Sequence, residues 1–141
     1  RPGEGGERAG PPVILQEWLG RGLSDERART IEHIILGDGW EGAAAWRAAW
    51  QRMQPADLLA CFTTLATRDD ISGELGRITA PALVLHGDAD HAIALERAQA
   101  MAAGLPHARM VVVPGAGHAA NLTHPQPVNA ALAQFLAQLP Q

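Results

Sequence analysis

Apolar residues recur at helical spacing through the first half of the chain and gather into short runs in the second, so the two halves read as different kinds of structure. VILQEWLGRGL, from Val13, is a short amphipathic run that should end at Gly20 or Gly22. Ser24 stands where an N-cap belongs, ahead of DERARTIEHIIL, which carries acidic residues in its first turn and Gly37 as its stop. DGWEG reads as a turn. AAAWRAAWQRM then predicts a helix with Trp46 and Trp50 four residues apart on one face. Pro55 suits the start of a fourth helix, which ADLLACFTTLATR continues to the Asp69–Asp70 pair, read as a helix-end cap. No convincing strand precedes residue 70.

The later half changes period. ITAPALVLHG supplies an apolar run after Pro81, bounded by GDAD, and predicts a strand buried on both faces. LERAQAMAAGL is a helix stopping at Gly104, and ARMVVVPGAG holds a second strand. PQPVNAALAQFLAQL predicts a terminal helix with Val128, Leu132, Phe135, Leu136 and Leu139 on one side. Strand, helix, strand, helix is a βαβα unit, whose two strands should run parallel with a right-handed crossover. The expected organisation is a flexible Gly/Pro-rich lead-in over 1–12, a helical layer over 13–72 and a β/α layer over 73–141, with the composition shifting near Gly73–Pro81.

Composition narrows the chemistry more than the class. A length of 141 residues fits one domain. Of the 47% hydrophobic residues a large share is the 27 alanines, so bulky core-formers are scarce. A net charge of −4 is too weak to imply a partner by its field. All 11 basic residues are Arg, and Lys and Tyr are absent, which excludes Schiff-base chemistry, a phosphate-loop Lys and a Ser–Lys dyad on this chain. The arginines are scattered without aromatic interleaving, so nucleic-acid binding is not expected. Cys61 stands alone, which allows no intrachain disulfide and no Cys-rich metal site and fits a reducing, cytoplasmic setting. No apolar run approaches the ~18 residues of a membrane span. RPGEGGERAGPP does not resemble a signal peptide, and a first residue of Arg suggests a trimmed chain.

Polar residues concentrate just past the two predicted strands: GDAD at 87–90 and PGAGH at 114–118. In open parallel sheets, active sites gather at the carboxyl ends of the strands. An Asp and a His on two such loops can meet there, the Asp fixing the imidazole tautomer while the other ring nitrogen takes a proton. His86, His91 and His124 lie near the same loops, but no two share a helical ligand spacing and no Cys joins them, so no metal is expected. His33 and His107 read as solvated or packing residues, and Cys61 as a small apolar filler. Nucleophilic serine catalysis needs a G-x-S-x-G elbow, and neither GLSDE around Ser24 nor DISGE around Ser72 supplies one.

PALVLHGDAD, a helix and then MVVVPGAGHAANLTHP together resemble the last two strands of the α/β-hydrolase fold, and ATRDDISGELGRI resembles the approach to them from a cap. Within that superfamily the sequence is most similar to the 3-oxoadipate enol-lactonase-like and small carboxylesterase branch, over about residues 56–139. The resemblance implies an α/β fold class: the C-terminal part of a hydrolase core preceded by an all-helical cap. It places the triad acid on Asp90 and the triad base on His118, with Asp88 shaping the turn. Its serine elbow and oxyanion loop would lie on a missing N-terminal part, as a separate chain or otherwise. Two positions depart from the branch pattern: Ala94 stands where a Pro is common, and Thr123 where a Glu is common. The implied activity is cleavage of a small-molecule carboxylic ester or lactone through an acyl-enzyme, without metal or organic cofactor. Trp46 and Trp50, with Trp40, would roof an acyl pocket or simply pack the cap. Two alternatives stay open: a non-catalytic interaction module that needs a partner or self-association, and a relative with other chemistry (epoxide hydrolase, dehalogenase or perhydrolase).

Overall fold

The computed structural model describes residues 12–139, so all of the lead-in expected over 1–12 except Pro12 lies outside the described residues. Four helices come first: α1 (Val13–Arg21), α2 (Asp25–Leu36), α3 (Ala43–Gln51) and α4 (Pro55–Thr67). Their ends follow local chemistry. The Ser24 side chain accepts from the Arg27 N–H at 3.3 Å, Gly37 ends α2 in the left-handed region at φ 73°, and Pro55 occupies the first turn of α4. Asp70 does not cap α4. Its carboxylate instead accepts from the Ser72 N–H at 2.9 Å and opens a 3-10 turn over Ser72–Arg77 that the residue pattern does not announce.

Two parallel strands follow, β1 (Ala82–Gly87) and β2 (Ala108–Val113), in register from Ala82 opposite Ala108 to Gly87 opposite Val113. Helix α5 (Leu95–Gly104) connects them, and the chain continues through a short α6 (Ala120–Thr123) into α7 (Pro125–Ala137). Both α5 and α7 pack on both strands. Neither face of β1 is exposed: Val84 and Gly87 are buried, and Ala82, Leu83, Leu85 and His86 half-buried. In β2, Val113 is buried and Val112 is 39% exposed.

The terminal helix also turns differently from the expected stripe. Val128 and Ala131 are buried, and Phe135 and Leu139 half-buried, a 3-4-4 spacing that faces the sheet. Leu132 and Leu136 lie off that stripe and are exposed, Leu136 at 62%. The tightest packing gathers Val113, Ala116 and Val128, with Leu85 and Ala120 against them, directly beneath the loop that carries His118. The helical segment meets this region through the end of α2, where the Ile35 carbonyl accepts from the Ala119 N–H at 2.9 Å.

Candidate active site

Both polar loops leave the same end of the sheet, because parallel strands deliver their carboxyl ends together. The loops are bound to each other before any functional side chain is considered. The Asp88 N–H donates to the Val113 carbonyl at 3.3 Å, the Ala89 N–H to the Ala116 carbonyl at 3.0 Å, and the Gly115 N–H to the Asp88 carboxylate at 2.6 Å. Asp88 therefore does more than shape its own turn: it ties the β1 loop to the β2 loop. The approach is so close that a Cβ on Gly87 would lie 2.0 Å from the Ala116 carbonyl oxygen, which no side chain tolerates. Gly115, at φ 72°, makes the turn that brings the second loop back over the first.

This frame fixes Asp90. Its Oδ1 accepts from the Ala92 and Ile93 N–H groups at 2.7 and 3.0 Å, and its Oδ2 lies 2.9 Å from His118 Nδ1. The carboxyl side chain is only 4% exposed, whereas the His118 side chain is 41% exposed. Burial pushes the Asp90 carboxyl up, but the Ile93 amide, His118 and the Ala92 amide more than offset it, and the net shift is downward. An ionised carboxylate at Nδ1 holds the Nδ1–H tautomer and leaves the lone pair on Nε2, the ring's other nitrogen. Chemically, that is an oriented base with an accessible face.

Other candidates disperse. His91 stacks on His33 with ring centroids 4.9 Å apart, and His33 also pairs with Asp38 at 2.9 Å. His124 Nδ1 meets the Thr123 hydroxyl at 2.9 Å. Trp46 and Trp50 pack on each other at 6.0 Å on α3, which packs on α2. Ser24 caps α2, and Ser72 lies in the 3-10 turn. Residue reading missed two contacts here: His86 Nε2 lies 3.3 Å from Asp90 Oδ2, and the end of α2 holds the loop just after His118. The first depends on the turn at Asp88–Ala89, which folds Asp90 back toward the strand end. The second had no signal in the sequence.

A parallel βαβα unit with a carboxylate–imidazole pair across its two strand-end loops is the arrangement expected of the C-terminal part of an α/β hydrolase. The comparisons agree: the model of the alpha/beta hydrolase family matches residues 2–131, and the chain belongs to that family. It is 36% identical over 127 residues to a pimeloyl-(acyl-carrier protein) methyl ester esterase of Xanthomonas campestris pv. campestris, covering 90% of this chain and 45% of the relative. A Synechocystis sp. protein named as a non-heme chloroperoxidase is 38% identical over 110 residues, 73% of this chain and 38% of the relative. A thermophilic esterase from Thermogutta terrifontis superposes with a TM-score of 0.63 at 26% identity, over 93% of this chain and 45% of that one. The chain thus spans less than half the length of these relatives. Their differing activities place the superfamily and leave the branch open.

Proposed function

We propose that this chain is the cap and C-terminal part of a serine-type α/β hydrolase that cleaves a carboxylic ester or lactone through an acyl-enzyme. The observation that carries the reading is the 2.9 Å contact between His118 Nδ1 and the Asp90 carboxylate, whose side chain is only 4% exposed. In this scheme a serine on a complementary N-terminal part attacks the carbonyl carbon. His118 Nε2 takes the serine proton and returns it to the leaving oxygen, and Asp90 stabilises the imidazolium formed in between. Water then repeats the sequence on the acyl-enzyme. Helices α1–α4 act as the cap, with Trp46 and Trp50 as substrate walls, and the contact from Ile35 to Ala119 fixes that cap against the His118 loop. No metal or organic cofactor is required, and the setting is cytoplasmic. The likeness to a methyl ester esterase supports a carboxylic ester as the substrate.

Turnover of a p-nitrophenyl ester tests the scheme. This chain alone should be inactive, since a base without nucleophile or oxyanion donors has little to stabilise. In the complete hydrolase, His118→Ala should lower kcat by about 10⁴-fold or more, the scale at which triad members act. Near-normal turnover by that variant, or activity of the chain alone, would overturn the assignment. The likeness to a chloroperoxidase favours a second reading, perhydrolysis on the same triad, which is distinguished by dependence of the product on added peroxide.

A further inference from the structure

One imidazole at this end of the sheet has no task in the scheme above. His86, near the end of β1, has a side chain only 11% exposed. Its Nδ1 lies 2.8 Å from the Gly87 carbonyl oxygen, and because a carbonyl only accepts, Nδ1 carries a hydrogen. Its Nε2 is buried and faces Asp90 Oδ2 at 3.3 Å, within ion-pair range but outside hydrogen-bond geometry. The same carboxylate oxygen accepts from His118. Asp90 therefore stands between two imidazoles, one exposed and one half-buried.

Nothing else charged competes for His86 among the described residues. Its strand partner is Val112, helix α7 on β1 carries no charged residue, and Glu96 and Arg97 of α5 are exposed and form no ion pair with it. With its lone pair on Nε2, the ring opposes the carboxylate's own lone pairs; with a proton there, it donates to Oδ2 after a small rotation.

We propose that His86 is a positioning residue for the triad acid, its Nε2 set against Asp90 Oδ2 at 3.3 Å and holding that oxygen in line with His118 Nδ1. The proposal rests on the triad reading. The carboxylate is then fixed from three sides: by the Ala92 and Ile93 amides at Oδ1, by His118 at Oδ2 and by His86 behind it. Loss of the third support lets the carboxylate swing, and misplacement of about 1 Å in such a constellation costs up to about 100-fold in rate.

Two measurements test it. In the complete hydrolase, His86→Phe should lower kcat about tenfold with KM within about twofold, and His86→Gln, whose amide can donate to Oδ2, should recover most of the loss. A wild-type kcat in His86→Phe overturns the proposal, as does a Gln variant no better than Phe at equal thermal stability. Independently of turnover, nitrogen NMR of the imidazoles should show Asp90→Asn displacing the His86 Nε2 signal together with that of His118 Nδ1. Displacement at His118 alone overturns the proposal even where His86→Phe fails to fold. If His118→Ala instead keeps its turnover while both imidazole signals respond to Asp90→Asn, the triad reading fails and the His86–Asp90 pairing stands.

Discussion

At the scale of single residues, Gly87 is the position where the sequence has no freedom. It is buried, it ends β1, and the Ala116 carbonyl occupies the space a methyl group would need. Because the obstacle is backbone rather than a mobile side chain, Gly87→Ala should cost about 3 kcal/mol, read as a lowered thermal midpoint. Gly73, with nothing within 4 Å of a built Cβ, is the control, and its Ala variant should melt close to the wild type. Asp90 yields a prediction with a definite sign. Its folded-state pKa lies below the ordinary value of 3.8, so its ionisation stabilises the fold fully above that value, and the contribution is lost as pH falls through the lower folded one. The stability difference between the wild type and Asp90→Asn should therefore shrink as pH falls below about 4. Chemical denaturation at successively lower pH measures it, and a difference that grows on acidification would contradict the downward shift.

Elements were legible wherever a local rule set their limits. Ser24, Gly37 and Pro55 each mark a helix end through hydrogen bonding or φ preference within a few residues, so α2 begins and ends, and α4 begins, where those rules put them. Ser24→Ala removes one hydrogen bond at the N-terminus of α2 and should cost about 1 kcal/mol in unfolding experiments. The elements that escaped are short. The 3-10 turn at Ser72–Arg77 and α6 at Ala120–Thr123 span too few residues to show a period, and both are set by what the chain must join. Helix α7 shows a different failure. Its apolar residues cover more than one face, so periodicity alone left the inward face undecided, and packing on the sheet chose Val128, Ala131, Phe135 and Leu139. The Asp90–His118 proximity was readable for an element-level reason: two parallel strands with one crossover must deliver their following loops to the same edge.

For the whole molecule, the exposed apolar surface is the dominant feature. Val112 on β2 and Leu132 and Leu136 on α7 are exposed among the described residues, as are Ile78, Ile93 and Met101. So many exposed large apolar side chains on one small chain favour association. The isolated chain should therefore self-associate with rising concentration, and Leu132→Glu with Leu136→Glu should return it toward a monomer in sedimentation experiments. A wild-type chain that stays monomeric throughout would contradict this. Sequence by itself determined the helix ends set by Ser24, Gly37 and Pro55, the two strands, their parallel sense and the two loops bearing Asp90 and His118, because each follows from neighbours in the chain or from the topology of one crossover. Only the tertiary structure decided that Asp88 ties those loops together, that His86 backs the carboxylate, that α2 holds the His118 loop and which face of α7 turns inward. These depend on distances between residues far apart in sequence, which close packing sets and no local pattern encodes.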